Sequence, residues 1–171
     1  FDLSARGGFA LGCDPLDNPA VDPSDIGAFD TFTVNQELFT LTKSNDIPEQ
    51  EGATGPSYVY THTISIDVAD GQTLTDFVVT DTLPPEIVYM GNLSVSGGTV
   101  LTEPTVGSPS TSSNNTLEVE YAALTGSVDI TFDFYIDQFE AGTSNPVIPV
   151  ASGNQTTISN LVTGEGTWDP L

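Results

Sequence analysis

Three polar residues stand where the local pattern calls for apolar ones. Approaching Lys43, the odd positions Phe39 and Leu41 are apolar; around Asp81 the odd positions Phe77, Val79 and Leu83 are apolar; around Asn160 the even positions Ile158 and Val162 are apolar. Alternate residues of a strand face the same side, so Lys43, Asp81 and Asn160 are all predicted to point inward. An unpaired charge in an apolar interior is very costly, so these groups should meet one another. Two chemistries fit. One is a buried Lys43–Asp81 ion pair with Asn160 hydrogen-bonded beside it. The other is an amide bond between the side chains of Lys43 and Asn160. An apolar site lowers the pKa of an amine and raises that of a carboxyl group. The neutral Lys43 amine then attacks the Asn160 side-chain carbonyl, a protonated Asp81 polarises that carbonyl, and ammonia leaves. If the first strand stops short of Lys43, the lysine is merely exposed.

Other chemistry has little to work with. The 171 residues include one Cys (Cys13), one His (His62) and two Lys+Arg (Lys43 and Arg6). A Cys/His zinc site cannot be assembled from these, and there is no nucleophile elbow to build a triad around His62. Phosphate-binding and dinucleotide-binding glycine motifs are missing from the sequence. Catalysis on an external substrate is therefore not expected. The 24 Asp+Glu give a formal net charge of −22, which excludes a basic nucleic-acid-binding surface. No run of eighteen apolar residues offers a bilayer span. His62 shares parity with Tyr60 and Ile64 and is expected as a hydrogen-bonded histidine at the edge of the core. Glu118, Glu120, Asp129, Asp133 and Asp137 alternate outward and read as a solvated acidic face. Calcium is the ion that clustered carboxylates would hold, here or at Asp67 and Asp70, or along Asp14, Asp17, Asp22 and Asp25. No EF-hand spacing occurs and no metal ligand is singled out.

The elements that must position Lys43, Asp81 and Asn160 read as strands. Hydrophobicity repeats every second residue in Tyr58–Val68, Leu117–Tyr121 and Val128–Asp137, the pattern of strands with one face in a core and one in water. Further strands are predicted at 31–43, 73–83, 87–95, 147–151 and 156–163. Gly, Pro, Asn and Asp clusters separate them, as at Asp70-Gly71, Pro84-Pro85, Gly97-Gly98 and Ala141-Gly142. Such a series predicts an all-β chain, an immunoglobulin-like antiparallel β-sandwich over residues 29–164, with a tail at 165–171.

The segments Leu41-Thr-Lys43, Tyr58-Val-Tyr-Thr-His-Thr-Ile64, Thr80-Asp-Thr-Leu-Pro84 and Ile158-Ser-Asn160 carry a family resemblance. Over roughly residues 31–163 the chain resembles the conserved-repeat family known as domain of unknown function 11, and is similar to the fimbrial isopeptide-formation domains of bacterial and archaeal surface proteins. Thr80-Asp-Thr-Leu-Pro84 is the most specific part. The resemblance implies an extracellular, non-enzymatic module, with Lys43 and Asn160 as the isopeptide partners and Asp81 as the autocatalytic acid. The chain departs from the pattern at Asp67-Val-Ala-Asp70-Gly71, where an Asn-containing turn is usual, and at Leu161-Val162, where small residues are usual.

The first residues have a pattern of their own. Phe1, Leu3, Ala5, Phe9 and Leu11 alternate with Asp2, Ser4, Gly8 and Ala10, so residues 1–13 read as a detached strand. Residues 14–28 are rich in Pro and Asp and read as a semi-rigid linker. Strand, linker and sandwich in that order suggest a subunit that lends its strand to a neighbour; the alternative is a strand folded back on its own sandwich. Phe1 lacks the flanks of a signal peptide and is read as the start of an exported mature chain. Sequons at Asn92, Asn114 and Asn154 suggest glycans, with Asn114 favoured because its loop is Ser/Thr-rich. The expectation is thus an extracellular, cell-surface structural subunit of a fibre or pilus, a homopolymer of itself. It needs no cofactor unless calcium, binds no nucleic acid and does not insert into a membrane. The alternative is a monomeric carbohydrate- or ligand-binding module of a larger adhesin, for which Trp168 and Tyr135 are the candidate aromatics.

Overall fold

A computed structural model describes residues 37–48, 53–148 and 156–168. The donor-type residues Phe1, Leu3, Ala5, Phe9 and Leu11, the linker 14–28 and Asn154 lie outside the described residues. Eight strands follow in chain order. They are β1 (Phe39–Asn45), β2 (Tyr60–Val68), β3 (Leu74–Thr82), β4 (Ile87–Val95), β5 (Thr99–Thr102), β6 (Thr116–Leu124), β7 (Ser127–Ile136) and β8 (Leu161–Trp168). No helix occurs among the described residues.

The strands form two four-stranded sheets, ordered β1-β2-β7-β4 and β5-β6-β3-β8. All pairings are antiparallel. The chain is all-β, as the alternation predicts, and its sheets form an immunoglobulin-like sandwich. The inward rows are Ile64, Ile66 and Val68 of β2, Phe77 and Val79 of β3, Leu117, Val119 and Tyr121 of β6, and Ile130, Phe132, Phe134 and Ile136 of β7. These alternate with outward Thr, Ser, Asp and Glu, so each strand has one apolar face to bury and the two sheets bury theirs against each other. Only β1–β2 and β5–β6 connect within a sheet; the other connections cross between sheets.

Three elements differ from expectation. The short strand β5 was not anticipated, because all four of its residues are exposed and it has no alternation to read. Val147 and Ile148 are outside any strand; Val147 is buried by packing, its amide donating to the Gln138 carbonyl (3.1 Å). The last strand, expected over 156–163, starts at Leu161 and runs on to Trp168. Gly164 and Gly166 removed the apolar signal there. A Cβ on Gly164 would lie 2.6 Å from Phe77 Cζ, and one on Gly166 2.8 Å from Phe77 Cδ2. The Phe77 ring occupies the space that side chains of β8 would fill.

The outward acids do not share one face. Thr125-Gly126 joins β6 to β7, but β6 and β7 belong to different sheets. Glu118 and Glu120 therefore face away from Asp129 and Asp133 across the sandwich. Among the described residues no group of three or more His, Cys, Asp or Glu is placed to hold a metal ion. Asp133 instead accepts from Thr61 Oγ1 (3.0 Å) and Asn92 Nδ2, and Glu118 accepts from Thr102 Oγ1 (2.6 Å).

Candidate functional site

The site lies where the first and last described strands approach each other. β1 is an edge of one sheet and β8 an edge of the other. Both reach the sandwich interior, and β3 is the neighbour of β8. Phe39 and Leu41 pack against the core from β1, and Val162 does so from β8. The Phe39 ring meets Phe77 edge-on, with centroids 5.0 Å apart.

Lys43 is next on the inward row of β1, opposite Ile64 of β2. Its ammonium contacts the Asp81 carboxylate, with Lys43 only 10% and Asp81 1% exposed in their side chains. It also lies over the Phe132 ring, 5.3 Å from the centroid, a favourable placement for a cation. Asp81 sits on the central strand β3, paired to Leu117 on one side and Val162 on the other. Asn160 immediately precedes β8, so its side chain comes up beside Asp81.

Burial decides the protonation chemistry. It pushes the Lys43 amine below its ordinary value, with Asp81 pulling the other way. It pushes the Asp81 carboxyl above its ordinary value, with Lys43 and Asn160 pulling down. Burial thus moves both groups toward their uncharged forms, while their pairing opposes it. The Asn160 amide lies close enough to Asp81 to lower its pKa by side-chain hydrogen bonding, but the contact falls short of good hydrogen-bond geometry, and Asn160 Nδ2, Asn160 Oδ1 and Asp81 Oδ1 are all buried. A buried polar atom left poorly paired is costly, so the amide is only weakly compensated.

His62 forms the wall beside Lys43. It is 5% exposed and stacks on Phe134 at 3.8 Å and 9°. Its Nδ1 lies 3.3 Å from the Ser44 carbonyl, which acts as acceptor and so places the proton on Nδ1. Burial and the nearby Lys43 charge hold its pKa down at about 3, so the ring is neutral. Sequence parity placed His62, Phe132 and Phe134 on core faces. It could not show that they surround the lysine, because that depends on how β2 and β7 sit opposite β1 and β3.

The other expected sites are scattered. Asn92 is exposed on β4 at φ 51° and donates to Asp133. Asn114 is half-buried; its Oδ1 accepts from the Thr105 amide (2.7 Å) and its Nδ2 donates to the Pro109 carbonyl (3.3 Å). The loop around it is docked, with Ser110 buried and donating to the Ile87 carbonyl (2.5 Å). Of the two described sequons, Asn92 is the more exposed. Trp168 and Tyr135 stand on strands of different sheets and make no common platform. No protein-family model matches the chain, and no curated protein matches it.

Proposed function

We propose that the chain is an extracellular structural subunit of a cell-surface fibre or pilus, toughened by an internal amide bond between Lys43 and Asn160 and assembled head-to-tail through its first residues. The observation that carries this reading is the buried Lys43–Asp81 pair with the buried Asn160 amide against it, at the meeting of the first and last described strands.

The reaction balances without a cofactor. Lys43 passes one proton to Asp81 and becomes a neutral amine. Its nitrogen bonds to Asn160 Cγ, while the protonated Asp81 donates a hydrogen bond to Asn160 Oδ1. The tetrahedral centre collapses, the C–Nδ2 bond breaks, and the amine's surplus proton leaves with Nδ2 as ammonia. The product ties β1 to β8, so that a pull on the chain loads a covalent bond before the sheets. Glycans on Asn92 or Asn114 belong to the same extracellular reading.

Intact mass measurement tests it. The parent chain is expected one ammonia lighter than its sequence, and Asp81→Ala is expected at full mass. A parent chain at full mass, with unlinked Lys43 and Asn160 peptides after digestion, would refute the bond.

A further inference from the structure

The sandwich has two poles, and the strand registers assign each loop to one of them. β1 begins beside Val68, where the Ala69 amide donates to the Leu38 carbonyl (2.9 Å). β8 ends beside Leu74, where Trp168 Nε1 donates to Gln72 Oε1 (2.9 Å). Both ends of the described body therefore leave from the pole of the 69–72 turn. At the opposite pole β7 ends at Ile136, whose carbonyl accepts from the Gly55 amide (2.7 Å), and Val147 pairs with Gln138. Tyr58, Val59, Phe139 and Ile148 belong to these loops, and Leu161 opens β8 nearby, opposite Thr82. All five are exposed, Tyr58 by 53%, Phe139 by 50% and Leu161 by 67%. Among the described residues, five of the nine large apolar side chains left in water thus share the pole away from the ends of the described body. Solvent-facing apolar groups gathered on one side of a chain this acidic mark a contact surface.

We infer that this pole is the acceptor for residues 1–13 of a second copy of the chain. The inference rests on the head-to-tail reading above and names its receiving surface. Thirty-six residues precede the described body, whose first strand begins at the far pole. In copies stacked end to end, a leading segment of that length can reach the apolar pole of the next. That segment alternates Phe1, Leu3, Ala5, Phe9 and Leu11 with small or polar residues, the pattern of a strand with an apolar face to bury. The end of β1 and the start of β8 lie at the same pole, and among the described residues both are sheet edges, the kind of backbone a further strand can extend. A contact between unlike surfaces does not close on itself and grows into a filament.

Complementation in the full chain tests this. Tyr58→Asp/Phe139→Asp damages the acceptor pole, and Phe9→Asp/Leu11→Asp damages the segment. Each variant alone is expected as a monomer at a concentration where the parent forms filaments. An equimolar mixture is expected to give a one-to-one dimer by sedimentation, since each partner supplies what the other lacks. Val100→Asp/Leu101→Asp on β5 is the control and is expected to polymerise. If the aspartate pair at the pole unfolds the chain, Tyr58→Ser/Phe139→Ser carries the same test. Filaments from the pole variant, a mixture that stays monomeric, or loss of assembly only in the β5 variant would each overturn the inference while leaving head-to-tail growth standing. A parent chain that never assembles would overturn both.

Discussion

The two seams of the sandwich are closed in different ways. At one seam β4 passes directly into β5 through Ser96-Gly97-Gly98, so the sheets are joined by the backbone itself. Gly98 lies under Val119 and Tyr121, where a Cβ would meet Val119 Cγ1 at 2.7 Å. The loop that follows folds over the β4 edge: the Gly107 amide donates to the Tyr89 carbonyl (2.8 Å), Pro109 bridges to Val88, and Ser110 holds Ile87. At the other seam β1 and β8 come from opposite ends of the described chain, and only side chains hold them. Phe39, Leu41 and Phe77 supply the apolar part there, and Lys43, Asp81 and Asn160 the polar part. Local connectivity makes the first seam cheap to close. The second must overcome the entropy of bringing distant segments together, and that is where a covalent bond has the most to contribute.

The largest expected effect breaks this contrast at the second seam. Asn160→Ala keeps the Lys43–Asp81 pair but removes the carbonyl that would be attacked. Closing a loop on the order of 100 residues stabilises by roughly 4–5 kcal/mol in the chain-entropy account. Denaturant unfolding of Asn160→Ala should show a loss of that order, with full mass retained. An unchanged midpoint would leave the two seams equal in kind.

Acid should act on the second seam next. An unfolded His62 takes a proton near its ordinary value of 6.5, whereas in the folded chain it does so only at about 3. The stability this residue contributes is therefore present above pH 6.5 and is lost as the pH falls from 6.5 towards 3. The loss amounts to about 5 kcal/mol at most. His62→Phe should flatten the stability curve over that window. Once Lys43 is consumed in an amide its charge no longer opposes His62, so a linked chain should show a higher His62 pKa by NMR than Asn160→Ala.

Packing at the second seam can be sharpened with Gly164→Ala, whose Cβ would press on the Phe77 ring. Overpacking of this sort costs about 1–3 kcal/mol, read as a lower melting temperature. The smallest change belongs to the first seam. Ser110→Ala removes one hydrogen bond to Ile87 and should cost about 1 kcal/mol in urea unfolding, with no effect on mass.

Most of the strands were legible because each carries a two-residue alternation long enough to read. That alternation also placed Lys43, Asp81 and Asn160 on inward rows, since parity is a property of the local chain. Reading failed where parity had nothing to act on. β5 is exposed throughout, and in β8 glycines stand where apolar residues would have signalled a strand. The outward acids divide between two faces for another reason. Thr125-Gly126 has the length of a hairpin turn, and only the packing shows that here the chain crosses between sheets.

The sequence by itself determined the all-β class, the inward rows, the acidic exterior and the scarcity of groups for external catalysis. Each of these follows from residue type and spacing along one segment. Tertiary structure decided which rows face each other. It put Lys43 over Phe132 and against Asp81, set the Asn160 amide beside them, enclosed His62 between Phe134 and the Lys43 charge, and sent both ends of the described body to one pole. Those relations depend on sheet order and strand register across more than a hundred residues, and they arise only when two sheets bury their apolar faces together.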